Sequence, residues 1–349
     1  MARDAGRDSL ARLKRSLTIA GGGLAGLSLA IALRSRGVPV TVVEVGNYPR
    51  HRVCGEFISG VTVETLSELR IADLFDGAHH HISLAWHDRG RRFLTDTLPV
   101  PALGISRFAL DERLRLRFTG IGGELITGSR ARPEPAEGLV WAAGRRPRPG
   151  RWIGLKAHVR LPTAADLEMH SGTNGYAGLA GVEDGWTNVC GLFLLDREMD
   201  AKGPDLLPAY LDAGGNSRLA AALRAAEWRE GSFTTVAGFE LGRQTPVPGL
   251  LCVGDAESMI PPFTGNGMSM AFQAAALAAD PLAEWAGGRC AWQETRTAIH
   301  GRLRRGFRRR LAAAAILHRG LLHSGIRSAA GSLAAAGILP FRSLLPLVR

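Results

Sequence analysis

Residues 17–26, Leu17-Thr18-Ile19-Ala20-Gly21-Gly22-Gly23-Leu24-Ala25-Gly26, decide the fold of this chain. A short apolar strand runs into the pattern G-x-G-x-x-G, and an apolar helix is predicted from Leu24 to Ser35. A second strand is predicted from Val38 to Val45 and carries Glu44, 21 residues after Gly23. Strand, glycine turn, helix and strand in this order form the context in which the pattern binds a dinucleotide.

Each glycine of the pattern has a predicted physical role. Gly21 makes the tight turn, Gly23 lets the backbone approach a pyrophosphate, and Gly26 lets the helix pack closely on the strand. The helix N-terminus offers free N–H groups and a positive dipole end to the phosphates. Glu44 is placed to accept the ribose hydroxyls. The alternative interpretation is a glycine-rich strand–helix turn, with Glu44 at a solvated strand end.

A second informative segment lies far downstream. The stretch Leu251-Cys252-Val253-Gly254-Asp255-Ala256 indicates the end of an apolar strand, and Pro261-Pro262-Phe263-Thr264-Gly265-Asn266-Gly267-Met268 indicates a loop entering a helix. Two further blocks lie between the motifs, namely Arg50-His51-Arg52-Val53-Cys54-Gly55-Glu56-Phe57 and Ile105-Ser106-Arg107-Phe108-Ala109-Leu110-Asp111. With these four ordered blocks the chain resembles the para-hydroxybenzoate hydroxylase-like FAD enzymes, the group A flavoprotein monooxygenases. Within that class it is most similar to the geranylgeranyl reductase-related FAD oxidoreductases, over roughly residues 17–285.

The resemblance implies an α/β fold, in which a Rossmann-like FAD-binding domain carries an inserted antiparallel-sheet substrate domain and C-terminal helices. It implies FAD as cofactor and NAD(P)H as a transient electron donor. Asp255 would accept hydrogen bonds from the ribityl chain, Arg107 would lie over the FAD, and Arg52 would line the path from adenosine to flavin. The implied and predicted cofactor-binding residues together are Gly21, Gly23, Leu24, Ala25, Gly26, Glu44, Arg52, Cys54, Gly55, Arg107, Asp255, Gly265, Gly267 and Met268.

The same reading divides the chain into four parts. They are a basic N-terminal tail (1–16), a discontinuous FAD-binding domain (17–80, 105–150 and 236–290), a substrate domain (81–104 and 151–235) and a basic, apolar C-terminal helical segment (291–349). Helices are also predicted over Val61 to Phe75 and Pro204 to Trp228.

At two places the sequence differs from the family's patterns, and these differences bear on the predicted function. The family's Asp-Gly after the third core strand appears here as Ala143-Gly144. The prenyl reductases' Tyr-x-Trp-x-Phe-Pro pattern appears as Tyr176-Ala177-Gly178-Leu179-Ala180-Gly181, in which only the tyrosine remains. This difference weakens the interpretation as a reductase of long isoprenoid chains.

The favoured function is a monooxygenase that hydroxylates a small apolar aromatic, polyketide or quinone-like substrate with NAD(P)H and O2. One alternative is a flavin-dependent reductase or dehydrogenase of a lipid or isoprenoid C=C bond, and another is a non-catalytic FAD-bound redox module. Cys54 and Tyr176 are the catalytic candidates. The histidines His51, His158 and His170 are candidates by chemistry alone, with surface or core positions as the alternative. The four cysteines have no C-x-x-C spacing, so no metal site is predicted.

The positive charge is concentrated at one end. The formal net charge is +11, yet the 55 residues after Glu294 hold 11 arginines and no acidic residue, so the rest of the chain is neutral. This distribution disfavours nucleic-acid binding by the body. A basic, apolar segment suits the interface of an anionic membrane, whereas the alternative is a packed helix with a solvated arginine face. Residues Met1 to Ser16 are polar, so we expect no secretory signal and a cytoplasmic location, with peripheral membrane attachment at the inner face.

Overall fold

A computed structural model describes residues 14–145, 147–244, 247–339 and 341–348, so the tail predicted over 1–16 lies almost entirely outside the described residues. The strands are β1 (Leu17–Ala20), β2 (Val40–Val43), β3 (Phe57–Ile58), β4 (His79–Asp88), β5 (Arg91–Gly104), β6 (Glu124–Ile126), β7 (Leu139–Trp141), β8 (Trp152–Arg160), β9 (Leu167–Ser171), β10 (Gly175–Gly181), β11 (Thr187–Leu194), β12 (Glu227–Trp228), β13 (Thr234–Ala237), β14 (Gly242–Arg243), β15 (Leu251–Cys252) and β16 (Ser258–Met259). The helices are α1 (Leu24–Arg34), α2 (Val63–Glu68), α3 (Arg107–Gly120), α4 (Leu206–Ala213), α5 (Ser217–Ala225), α6 (Gly267–Ala286), α7 (Trp292–Leu322), α8 (Ser324–Ala335) and α9 (Phe341–Leu344).

The first layer is a parallel sheet with the strand order β15-β7-β1-β2-β6. Its strands are short, and β1, β2 and β7 bury one face in the core formed with α1, α3 and α6, whereas their other face is more exposed. Helix α1 is buried along almost its whole length and packs on α6. This arrangement confirms the Rossmann-like part of the predicted fold.

The second layer is a larger sheet with the order β12-β8-β11-β10-β9-β4-β5-β3, and β13 also pairs with β8. All its pairs are antiparallel except β4 with β9. Strands β4 and β5 come from the first inserted segment, whereas β8 to β13 come from the second, so the one parallel pair is the seam between them. One face of β8, β10 and β11 packs on α4 and α5 through an apolar cluster that includes Leu155, Leu179 and Leu207. The predicted inserted sheet is therefore present, with one parallel pairing in it.

Two predicted helices are shorter than expected. The helix predicted from Val61 to Phe75 is α2 followed by a separate 3-10 turn over Ala72–Phe75, because Arg70 takes a positive φ of 61° and interrupts the helix. The helix predicted from Pro204 to Trp228 divides into α4 and α5 at Gly214 and Gly215, and it ends in the short strand β12. Gly215 has a φ of 87°, which an uninterrupted helix cannot contain.

The C-terminal segment packs on both layers. Ile299, Leu303 and Phe307 of α7 are buried in the core that α6 shares. Further along, the guanidinium of Arg327 in α8 is buried and its Nε lies 2.7 Å from the Asp88 carboxylate at the end of β4. None of the helices that the structure describes is long and apolar enough to cross a membrane.

Candidate active site

The first glycine motif has the geometry that its turn requires. Gly21 has a φ of 106°, and a Cβ there would lie 2.4 Å from the Ala142 carbonyl oxygen. A Cβ on Gly26 would lie 1.9 Å from the carbonyl oxygen of Gly21. Glycine is needed at both positions because any side chain would overlap backbone atoms. At Gly23 the situation differs, since a Cβ would meet only Arg107 Nη2, at 3.9 Å.

Open space lies beside three glycines of the predicted cofactor-binding set. A Cβ on Gly55 or Gly267 would meet no atom of the described residues within 4 Å, and Gly23 is nearly as open. The N-cap residues of α1 and α6, Gly23 and Asn266, make no capping side-chain hydrogen bond. The first N–H groups of both helices are consequently available to an external acceptor such as a phosphate or a carbonyl oxygen. We call this open region, beside Gly23, Gly55 and Gly267, the glycine strip.

Glu44 is the residue that the sequence predicts to accept the ribose hydroxyls of the adenosine half. Its carboxylate accepts hydrogen bonds from the backbone N–H of Gly22 at 2.7 Å and of Gly46 at 3.0 Å, and it pairs with Arg50. Burial raises the pKa of Glu44, but these backbone bonds and the charges of Arg52 and Arg50 lower it overall. Both oxygens already have protein partners, so a ribose hydroxyl would have to share them.

Two arginines of the predicted set meet at one buried carboxylate. Asp111 receives Arg107 Nε and Nη2 at 2.7 and 2.8 Å, and Arg52 Nε at 2.9 Å. The buried Nη2 of Arg52 has no hydrogen-bond partner among the described residues. This Nη2 lies 3.8 Å from the Glu44 carboxylate and makes no hydrogen bond with it, so it is a place for a phosphate or ribose oxygen.

Asp255 and Gly267, from the two halves of the downstream motif, line one small cavity. Asp255 is exposed there and lies in the 3-10 turn Gly254–Ala256 that comes after β15. The surrounding protein raises its pKa, while the charges of Arg107 and Arg145 act in the opposite direction. The structure thus brings Asp255 towards the same arginine that flanks Gly23.

Of the two catalytic candidates, Tyr176 is buried and Cys54 is half-buried, and both side chains are protonated. Burial raises the pKa of the Cys54 thiol, although Arg107 opposes this, so the thiol is not a ready nucleophile. Burial likewise raises the pKa of Tyr176. Tyr176 lies on β10, on the sheet face that turns towards Phe263 of the downstream motif.

A buried charged cluster was not predicted from the sequence. Glu56, with a positive φ of 53°, lies 3.2 Å from Lys156 Nζ and 2.5 Å from His158 Nε2, and all three side chains are inaccessible to solvent. His51 Nδ1 lies 3.0 Å from Lys156 Nζ, and burial together with Lys156 lowers the pKa of His51 to about 4. Alternation along β8 was the available signal, because it places Lys156 and His158 on one face.

An aromatic cluster, formed by Trp152, Tyr176, Phe263 and His318, lies beside the downstream motif. His318 from α7 stacks on Phe263 with ring centroids 6.0 Å apart, and its ring lies 5.7 Å from Tyr176 and 5.3 Å from Trp152. It is 94% buried, and its Nε2 has no hydrogen-bond partner among the described residues. Burial lowers its pKa to about 4, so the imidazole is neutral at pH 7. Sequence reasoning missed His318 because it placed this segment outside both domains.

His170 does not join these groups. It lies on β9 with Glu168, on the opposite face of the sheet from Tyr176, next to residues that α4 and α5 cover. Its imidazole contacts Glu168 and stacks on His87 of β4.

Comparison with known proteins places this geometry in context. Residues 14–102 match the family described as the FAD binding domain. The chain is 24% identical to the menaquinone reductase of Mycolicibacterium smegmatis, over 76% of each protein. Among solved structures, the flavin-dependent brominase Bmp2 has a TM-score of 0.74 at 18% identity, covering 96% of this chain and 93% of that one. The p-nitrophenol 4-monooxygenase PnpA of Pseudomonas putida DLL-E4 has a TM-score of 0.71 at 13% identity, covering 95% and 99%.

The chain contains an FAD-binding domain over residues 14–102. Its fold is that of the FAD-dependent monooxygenases and halogenases. The residues present fit the cofactor, since the glycine strip has room for a ligand, two uncapped helix N-termini open onto it, and Arg52 has a donor to spare. The roles of the individual residues toward FAD stay predictions.

Proposed function

We propose that this enzyme is a monooxygenase that hydroxylates a small apolar aromatic, polyketide or quinone-like molecule, with NAD(P)H as electron donor and O2 as co-substrate. The observation that carries the proposal is the position of the aromatic cluster directly beside the downstream glycine motif. Phe263 belongs to both, so a ligand on the cluster would lie against a flavin ring held at that motif. Bound FAD supplies the electron transfer from the nicotinamide and the reaction with oxygen.

The protein's own residues have separable tasks in this proposal. The uncapped N-terminus of α6 provides N–H donors and a positive dipole end for the negative charge that develops on a reduced flavin. A flat substrate would have to enter among Trp152, Tyr176 and His318, which are packed together in this structure. It would then contact the two aromatic rings, and its hydroxyl or carbonyl group would meet the Nε2 of His318, which has no hydrogen-bond partner among the described residues. Leu321 and Leu322 of α7 pack against this cluster and exclude water.

A second candidate is a reductase of a lipid or isoprenoid C=C bond. It is supported by the similarity to the menaquinone reductase, which extends over three quarters of both chains. The two candidates differ in their need for oxygen, because hydroxylation consumes O2 whereas reduction of a C=C bond does not.

Anaerobic turnover of the FAD-loaded enzyme separates the candidates. The enzyme is mixed with NADH or NADPH and a panel of phenols, 2-aminobenzoyl compounds and naphthoquinones, first without oxygen and then in air. We expect flavin reduction without oxygen, and a product heavier by one oxygen atom only in air. A product gaining two hydrogens without oxygen would replace the proposal with the reductase, and flavin that neither nicotinamide reduces would contradict the proposed donor.

We also propose that the C-terminal segment attaches the enzyme to an anionic membrane. The arginines Arg304, Arg305, Arg308 and Arg309 of α7 are exposed, although the opposite face of the helix is buried. Large apolar side chains beyond them are exposed as well, namely Ile316, Ile326, Leu333, Ile338 and Leu347. Exposed arginines together with exposed apolar residues favour an anionic lipid interface. Such attachment would bring the enzyme to an apolar substrate.

A further inference from the structure

A cluster of two histidines and a glutamate lies at the seam of the substrate sheet, where β4 pairs with β9. The proposed function above gives this cluster no role. His87 belongs to β4, and Glu168 and His170 belong to β9. In the parallel register of these strands His87 lies directly beside His170, while Glu168 precedes His170 by two residues and shares its face. We propose that His87, Glu168 and His170 bind a divalent transition-metal ion of the zinc type, which clips the two inserted segments together.

The distances suit one shared ion. The three ligand atoms lie within 4.8 Å of one another, and the closest pair, His170 Nε2 and Glu168 Oε2, is 2.8 Å apart. Ligands about 2.0–2.1 Å from a tetrahedral zinc ion lie roughly 3.4 Å from each other. The ligand atoms therefore have to close from separations of up to 4.8 Å toward that spacing, and His87 is the half-buried member that can move.

The burial and hydrogen bonding of these three residues also favour a metal site over a cluster whose hydrogen bond is only structural. Glu168 and His170 are 94% and 93% buried, and the Nδ1 atom of His87 has no hydrogen-bond partner among the described residues, so it is available to an ion. Glu168 is additionally held by the backbone N–H of Ala164, which fixes its carboxylate. Because His87 is only half-buried, the ion and a water ligand can reach the cluster from the side of His87. Two imidazoles and one carboxylate are a typical ligand set for Zn²⁺ and Co²⁺.

The site has a structural consequence because of where it lies. Between β5 and β8 the chain returns to the parallel sheet, so β4 and β9 are joined only across the seam. Ligands on both strands would tie together two segments that are distant in sequence. The expected result of metal binding is a more stable substrate domain, whether or not the proposed reaction is correct.

The test uses the full-length, FAD-loaded protein after treatment with a chelator. Zinc is titrated calorimetrically, cobalt is followed by visible absorption, and the melting temperature is measured with and without zinc. We expect one zinc ion per chain with a Kd near 1 µM or below, and a melting temperature higher by about 5 °C at 100 µM zinc. His87→Gln and Glu168→Gln should each weaken zinc binding at least 10-fold.

The adjacent run His79-His80-His81 provides the matched control, because it is the other place on β4 where histidines could capture a metal. His79 and His80 are exposed, so the double variant His79→Gln/His80→Gln should fold and bind zinc like the wild type. No stoichiometric binding at 100 µM zinc would overturn the proposal. So would unchanged affinity in His87→Gln, or loss of the site in the double variant. FAD content, measured in every sample, keeps this result separate from the proposed reaction.

Discussion

Asp255 is the residue on which cofactor retention should depend most visibly. It follows β15, faces the cavity that Gly267 also lines, and lies within the electrostatic reach of Arg107 and Arg145. We expect Asp255→Ala to weaken FAD binding about 10- to 150-fold, since a charge-assisted hydrogen bond contributes about 1.5–3 kcal/mol. Asp280→Ala is the control, because Asp280 only pairs with Arg36 at the surface. Equal FAD retention in the two variants, measured by fluorescence titration, would refute the assignment.

His318 should make the enzyme sensitive to acid. Its pKa is about 4 in the folded protein and near 6.5 when unfolded, so the unfolded chain binds the extra proton first as the pH falls. Stability should therefore decline between pH 6.5 and pH 4, by up to about 2 kcal/mol between pH 7 and pH 5 from this group. His318→Phe keeps the stacked ring and removes the titration. Urea unfolding at both pH values should show a smaller decline for the variant, and an equal decline would show that His318 is not the group.

The residues that sequence reasoning identified are those whose roles come from local backbone geometry. Gly21 and Gly26 could be predicted because a turn between a strand and a helix leaves no space for a side chain. Glu56, Lys156 and His318 could not, because each acquires its role from partners more than 50 residues away. His318 in particular depends on where α7 crosses the second sheet, which no local pattern specifies.

Among the elements, β8 is tied to the segment before β3 by the buried cluster of Glu56, Lys156 and His158. Removing one partner of a buried ion pair leaves a charge uncompensated, so Glu56→Gln should destabilise the fold by about 3–5 kcal/mol. The exposed Glu240, 3.8 Å from Arg148, gives the contrast, and Glu240→Gln should cost less than about 1 kcal/mol. A loss below 1 kcal/mol for Glu56→Gln in urea unfolding would mean that the cluster is not an ion pair.

Helix α7 carries the prediction about membranes. Arg304, Arg305, Arg308 and Arg309 are changed together to Gln, which preserves the buried face of the helix. Each arginine near an anionic surface contributes about 1 kcal/mol, and salt screens this attraction within about 8–10 Å. The wild type should sediment with anionic liposomes at low salt and the variant should not, while neutral liposomes bind neither. A wild type that stays in the supernatant, or a variant that sediments equally well, would make the arginines ordinary solvated surface.

For the helices, the sequence predicted the type of element well and the residues at which it ends less well. Helix α1 begins at its predicted start, Leu24, and α6 begins within the downstream glycine motif that was predicted to enter a helix. The predicted helices over 61–75 and 204–228 were too long, since apolar spacing continues across turns where Arg70 and Gly215 adopt positive φ.

For the whole molecule, the family resemblance carried by the four motif blocks implied a Rossmann-like domain with an inserted antiparallel sheet, and the structure has both. Strand order within the second sheet, including the parallel seam of β4 and β9, was not predictable, because it depends on pairing between segments that lie far apart in the chain. The packing of the C-terminal segment on both layers was left open by its composition. In the structure, one face of α7 is buried and the arginines on its other face are exposed.

The identity of the bound cofactor tests the central claim most directly. The protein is purified without added flavin, denatured by heat, and the released chromophore is separated by chromatography and quantified against the protein. Because the first motif and Glu44 are predicted to bind an adenosine half, the account predicts FAD, approaching one per chain once any apoprotein is reconstituted. Finding FMN, or no flavin bound after reconstitution with FAD, would contradict it.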